Sequence, residues 1–342
     1  MASFSRRVRV SPAIALVIGG LMLAAGAYAW DWVGASGPTL PLRTLGDYPL
    51  SGGTTRFDYA SFDSRRNVMW IAHMGDGTVE AFDVRTNRVT RTIAISAAAS
   101  VRGVLAARGN VYAAAQGLSA VIVLDGATGE RLATVPAGDA DGLAYDPATQ
   151  RVFVSDEAGG KDVVIDARAN HRIGEIELGG EAGNTVYDPV SRHMFAGVQT
   201  RDELAEIDPA RLTVLRRYPL SGCSSSHSVV VDGEQHAAYV GCQHNMQVVR
   251  LDLTAGKVTR IGGAGIGVDV MALDPAMHRL YVASESGIVS VYDVGGRRFH
   301  RIAQAFLHLN AHVVAIDPKT HRVYFPLQNA GGRPVMRVME PR

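Results

Sequence analysis

The sequence predicts an all-β protein: a seven-bladed β-propeller with four antiparallel strands per blade, closed by an N-terminal strand in the last blade. Three observations predict it. The 342 residues include 37 glycines, aromatics are only 7%, and long helical patterns are few, which reads as many turns between many short strands. An aromatic follows an aspartate by seven residues in six places: Asp63 and Trp70, Asp146 and Phe153, Asp188 and Phe195, Asp232 and Tyr239, Asp274 and Tyr281, Asp317 and Tyr324. A seventh copy, degenerate in its turn, runs from Leu105 to Tyr112, so successive aromatics are spaced by 42, 41, 42, 44, 42 and 43 residues. Last, the final repeat stops early, while Tyr48-Pro49-Leu50-Ser51-Gly52 recurs as Tyr218-Pro219-Leu220-Ser221-Gly222, 170 residues or four repeats later.

Each repeat reads as four strands in order. The first is an apolar run ending at the Asp. Asp-Pro-x-x-x-Arg is a hairpin turn, because Pro presets φ and Asp bonds the backbone ahead of it. The second strand carries the aromatic. A Gly-rich turn leads to a third strand such as Thr78–Asp83 or Val289–Asp293, and a weaker fourth follows, such as Val89–Ile93. A period near 40 with four strands is the signature of a propeller blade. Asp83, Asp125, Asp166, Asp208, Asp252 and Asp293 recur at third-strand ends and read as turn caps. Residues near 40–50 are expected to complete the last blade, since a closed ring removes exposed sheet edges. Length alone would suggest two domains. The unbroken register argues instead for a single domain over 39–342.

Composition narrows the function. Charged residues at 20% and a net charge of +1 exclude a disordered or coiled-coil chain and give no electrostatic reason to expect nucleic acid. Arg6, Arg7 and Arg9 precede an apolar run from Pro12 to Ala29 that ends in Ala27-Tyr28-Ala29. This reads as a secretory signal over 1–29, with 30–38 a linker and an uncleaved membrane anchor the alternative. Cleavage removes three of the 34 basic residues against 33 acidic and leaves −2. A periplasmic or extracellular location follows, with no membrane contact beyond this segment and a monomer expected. In an oxidising compartment Cys223 and Cys242 read as a disulfide. The alternative is a copper cluster of Cys223, His227, Cys242, His244 and Met246, which would make the chain a periplasmic redox or metal-handling protein.

The blade pattern resembles the YVTN-repeat propellers, in particular the exported YncE-like proteins of bacteria. The resemblance rests on Arg56-Phe57-Asp58-Tyr59, Ile71-Ala72-His73, Gly142-Leu143-Ala144-Tyr145-Asp146-Pro147, Val240-Gly241-Cys242 and Asp317-Pro318-Lys319-Thr320-His321-Arg322-Val323-Tyr324, and it covers nearly all of the chain after the leader. It implies the propeller fold and a scaffold or binding role. It brings no catalytic residue set.

In such a ring, the entry to the first strand and the loop after the second share one face, around the central funnel. Twelve residues before the aromatics stand Asp58, Asp141, Gly183 (with Asn184 next), His227, Asp269 and His312, and Arg102 takes the place in the second blade. Three to five residues after them stand His73, Asp156, Glu157, His244 and Glu285, among others. These positions are polar and differ from blade to blade, whereas a scaffold residue repeats. They are therefore candidates for a site, against the alternative of a solvated funnel mouth.

Asp58, Arg102, Asp141 and Asp269 are catalytic candidates. His73, Asp156, Glu157, Asn184, His227, His244, Glu285 and His312 are binding candidates. His73, His227, His244, His312 and Asp269 are candidate ligands of a divalent metal, which would activate water or polarise a carbonyl. His193, His236, His278 and His321 fall at the opposite face and read as solvated. PQQ is not expected with only three tryptophans, nor haem without C-x-x-C-H. Gly262–Gly267 lacks the helix a nucleotide loop needs. The function expected is binding of a small molecule, metal or envelope protein in the funnel. The alternative is a metal-assisted hydrolase or lyase, lactonase-like, in the same place.

Overall fold

The computed structural model describes residues 39–296 and 299–342. The expected leader and linker lie outside the described residues. Among the described residues no helix is long and apolar enough to cross a membrane. The body Leu40–Arg342 forms seven four-stranded antiparallel sheets. Blade 1 holds Ala60–Asp63, Val68–His73, Thr78–Asp83 and Arg88–Ala94, and the next five follow the same order. Blade 7 is built from Ala315–Asp317, Arg322–Leu327 and Val335–Pro341, and its outer strand is Leu42–Pro49. That strand pairs antiparallel from Leu42 opposite Pro341 to Pro49 opposite Val335. Arg337 grips Asp47 across this seam through two bonds of 2.8 and 2.7 Å, and Arg43 pairs with Glu340.

The blade aromatics drive the packing. Trp70, Tyr112, Phe153, Phe195, Tyr239, Tyr281 and Tyr324 are all buried, and full burial of such a side chain is worth about 1.5–3 kcal/mol. Each cluster spans a blade boundary: Trp70 packs with Val101, Val104 and Ala113 of blade 2, and Tyr281 with Val323 and Phe325 of blade 7.

The turn aspartates cap the backbone. Asp63 accepts from the Arg65 and Arg66 amides, Asp83 from Arg85 and Thr86, and Asp252 from Thr254 and Ala255. Two histidines of the turn face differ from expectation. His321 Nδ1 lies 2.8 Å from Asp274 of the neighbouring blade, and His193 Nδ1 lies 2.7 Å from Glu206. Both stand beside acceptors the hairpin sequence alone does not reveal.

Near the axis the first strands come close. A Cβ on Gly103 would lie 2.0 Å from the Asp141 carbonyl oxygen, and one on Gly183 would lie 2.6 Å from that of His227. Glycine is what allows these neighbouring blades to meet.

Candidate functional site

The site begins with a backbone irregularity. Pairing of the first and second strands slips between Val101 and Gly103, Ala140 and Leu143, Ala182 and Thr185, Ser226 and Ser228, and Val268 and Met271. The residues left out of register include Arg102, Asp141, Asn184, His227 and Asp269. A β-bulge releases a residue from the pleat and re-aims its side chain. Five blades thus turn one polar residue each toward the axis. Asp58 and His312 occupy the matching place just ahead of the first strands of blades 1 and 7.

Asp58, Arg102, Asp141, His227 and Asp269 meet in a cavity of about 290 Å³ that Arg56, Tyr59, Met74, Glu157, Gln243 and Glu285 also line. At its base the Tyr59 hydroxyl donates to Asn184 Oδ1 at 2.7 Å, joining blades 1 and 4. Beyond Tyr59 a second, more apolar cavity of about 380 Å³ continues between the first strands.

Asp58, Asp269 and His312 are all buried and bring one donor atom each within 4.8 Å of the others. His312 Nε2 faces Asp58 Oδ1 at 3.7 Å and Asp269 Oδ2 at 3.8 Å. Both distances are too long for hydrogen bonds, and this nitrogen, on a residue only 1% exposed, has no protein partner. The Nδ1 atom faces only acceptors, the Asn310 carbonyl at 3.0 Å and Asn310 Oδ1 at 3.1 Å, so it carries a proton. His227 Nε2 stands 3.4 Å from Asp269 Oδ1, and its Nδ1 is also without a partner. Arg56 forks onto Glu285, NH1 to Oε2 at 3.0 Å and NH2 to Oε1 at 2.7 Å, and reaches Asp269 at 3.4 Å. Arg102 donates to Glu157 at 2.7 Å.

Burial and charge set the protonation. Desolvation pushes Asp141 up to about 8, and the nearby Asp58 charge adds to it. Desolvation likewise raises Asp58, opposed by His312. Desolvation also acts on Asp269, yet its two histidines and Arg56 overcome it and hold the carboxyl at about 2. His227 is desolvated too, but Asp269 raises it to about 9. His312 is raised against the same penalty by the carboxylates it faces.

The other candidates separate from this group. His73 is fully buried in blade 1, with Nδ1 3.0 Å from Glu80 Oε1 and Nε2 2.9 Å from Thr55 Oγ1, so its nitrogens are occupied away from the axis. His244 is exposed in the turn after the second strand of blade 5, and neither joins the Asp58–Asp269–His312 group. Asp156 bends back to accept from the Asp139 and Gly159 amides. Cys223 and Cys242 form a disulfide, with S–S 2.06 Å and Cα–Cα 5.2 Å. That pairing removes the copper-thiolate cluster. Arg56 and Tyr59 were not expected as site residues. Their signal was a cation two residues before the blade-specific position where Asp139, Glu181, Ser225, Gly267 and Asn310 stand in other repeats, and a phenol one residue after it where Gly142, Asn184, Ser228, Val270 and Val313 stand.

No family model matches the chain, and no curated protein matches it. Solved structures do. A chain of Kuenenia stuttgartiensis hydrazine synthase superposes with a TM-score of 0.72 at 16% identity, covering 90% of this chain and 98% of that one. A structure of streptogramin B lyase superposes with a TM-score of 0.72 at 10% identity, covering 87% and 97%. At these identities the likeness is one of fold.

Proposed function

We propose that the funnel holds a divalent cation at Asp58, Asp269 and His312 and, over it, a small molecule with a carboxylate or carbonyl group. The observation that carries this reading is His312 Nε2. It is buried, unpartnered and aimed at two buried carboxylates, while Nδ1 is anchored on a carbonyl. That is how a metal-binding imidazole is oriented by its outer partner. One nitrogen and two carboxylate oxygens suit Mg²⁺, Mn²⁺ or Zn²⁺. Arg56 competes with a cation for the same carboxylates, and its fork on Glu285 is the partner that draws it aside. Arg56 and Arg102 supply positive charge for an anionic ligand.

Titration of dialysed protein with each of these ions by calorimetry tests the proposal. Binding is expected in the wild type and not in His312→Ala. Equal binding by both, or binding by neither, removes it.

Asp141 favours a second reading, the metal-assisted hydrolase or lyase. A carboxyl held near pH 8 is poised for proton transfer near neutrality, and one structural neighbour is a lyase by name. A screen of lactones and esters should give turnover that chelator and Asp141→Asn both abolish. Turnover indifferent to both rejects the enzyme. Export to the periplasm or outside belongs to the same proposal, supported by the disulfide and the apolar N-terminal run. The blade motifs support a place among the YncE-like propellers.

A further inference from the structure

Four large apolar side chains are exposed on the funnel-side segments of blades 5 to 7. Ile266 is 68% exposed, Leu309 65%, Phe306 59% and Met246 40%. Isolated exposed apolar residues are ordinary, but a contiguous group marks an interaction site. Met246, Ile266 and Leu309 stand in loops, Phe306 ends the outer strand His300–Phe306 of blade 6, and the segments touch. The Ala264 amide donates to the Met246 carbonyl at 2.8 Å, and the Ser286 amide to that of Ile266 at 3.1 Å. On the other side of the same turn the Leu307 amide bonds the Gly287 carbonyl at 2.9 Å, and the Phe306 ring reaches within 3.0 Å of where a Gly287 Cβ would stand. Ile266 and Phe306 therefore flank the 285–287 turn.

The rim is continuous with the polar site. The turn it flanks carries Glu285, which holds Arg56. Leu309 precedes Asn310, whose carbonyl anchors His312. The matching loops of blades 1, 3 and 4 carry Gly52-Gly53-Thr54-Thr55, Gly138-Asp139 and Gly179-Gly180-Glu181 instead. Of the other exposed large apolar residues among those described, Leu132, Ile173, Leu215 and Ile302 lie in the first three residues of outer strands, away from the end that Phe306 occupies, and Val190 lies in a turn of the far face, which leaves Leu118 at 38% on the funnel side. The large exposed apolar residues of the funnel face thus gather at the entries to blades 6 and 7, with Met246 of blade 5 beside them, while the loops entering blades 1, 3, 4 and 5 are polar or glycine-rich.

We infer that the funnel's ligand is an amphiphile: a carboxylate or carbonyl head seated among Arg56, Arg102 and the cation, and a hydrocarbon chain lying over Ile266, Phe306 and Leu309. The inference rests on the proposed polar site, to which it adds the ligand's class. A surface of this kind also suits a second copy of the chain. The polar cavity of about 290 Å³ beside it favours a small molecule, because a flat partner covers the rim without reaching into the cavity.

Straight-chain carboxylates test it. Butyrate, hexanoate and octanoate are titrated calorimetrically into wild-type protein with Mn²⁺ present, and Mn²⁺ uptake is measured separately. A fully buried methylene gains about fourfold in affinity, so half-burial on an open rim should give about tenfold or more from butyrate to octanoate. The triple variant Ile266→Ser, Phe306→Ser, Leu309→Ser is expected to lose that dependence. Circular dichroism melting confirms that it folds, and the exposure of all three positions makes that the expected result. A flat series in the wild type, with Mn²⁺ and butyrate both bound, overturns the rim and leaves the polar site standing. Protein that takes up neither Mn²⁺ nor butyrate removes both. A dimer by light scattering that the triple variant dissolves assigns the rim to self-association and overturns the inference.

Discussion

His73 and His312 are both buried histidines set among carboxylates, and they end in opposite conditions. His73 is closed on all sides. Glu80 takes one nitrogen, Thr55 the other, and Phe57 covers the ring at a centroid distance of 4.1 Å. The second oxygen of Glu80 accepts from the Ser51 amide at 2.9 Å, and Asp76 accepts from Thr55 and from the Gly53 amide. This network ties residues 51–55 to blade 1, where the chain leaves the ring-closing strand. His312 keeps one nitrogen open toward two carboxylates. Burial of a polar group is costly unless it is bonded. A satisfied buried histidine is therefore explained by structure, while an open one has a chemical use as its best account.

The largest test of this contrast is Glu80→Ala. It should cost about 3–5 kcal/mol in denaturant unfolding, because it strands a buried imidazole. Mn²⁺ binding should be unchanged. A loss of Mn²⁺ binding without loss of stability would reverse the roles assigned to the two histidines.

Asp162 sharpens the comparison from a third place. It is fully buried in blade 3, and the Thr185 hydroxyl bonds it at 2.9 and 3.0 Å. Desolvation raises it to about 7. Its folded value lies above its unfolded one, so the stability it contributes is fully present below about pH 4 and is lost as pH rises through 7. The loss is on the order of 4 kcal/mol. Asp162→Val should erode it, so that the variant gains on the wild type between pH 4 and 7 in urea melts. An equal difference at both ends would place the cost in packing instead.

The repeat made the fold legible. Asp-to-aromatic spacing located six blades and the degenerate copy Leu105–Tyr112 the seventh, and the copied Tyr-Pro-Leu-Ser-Gly segment located the closing strand. The offset of twelve likewise picked out Asp58, Asp141, His227, Asp269 and His312, because a bulge in blades 3, 5 and 6 and the approach to the first strand in blades 1 and 7 place them at equivalent points of the funnel. It did not separate His73 from His312. What separates them is partners contributed by other strands and loops. Glu80 stands where other blades have Ile122, Val163, Ala205, Val249 and Ser290, and Asp162 where they have Val79, Val121, Leu204, Val248 and Val289. Those departures were visible in the sequence, yet only packing shows that Glu80 meets a histidine and Asp162 only a hydroxyl.

The smallest expected effect is also the one that divides proton from cation most cleanly. Without metal, His312 is raised above its ordinary value by the carboxylates it faces. Its contribution to stability is therefore fully present below about pH 6.5 and is lost as pH rises through the raised value. His227, at about 9, acts in the same direction. A cation that needs the His312 lone pair must displace that proton, so its affinity should rise up to about tenfold per pH unit across the same window. The two effects have opposite signs: metal-free protein weakens as pH rises, while metal-induced stabilisation grows. At a Mn²⁺ concentration of about 100 Kd that stabilisation is about 2.7 kcal/mol, read as a shift in Tm. His312→Ala should remove both the shift and its pH dependence. A shift that survives the substitution, or that shrinks as pH rises, would mean the imidazole holds a proton in place rather than an ion.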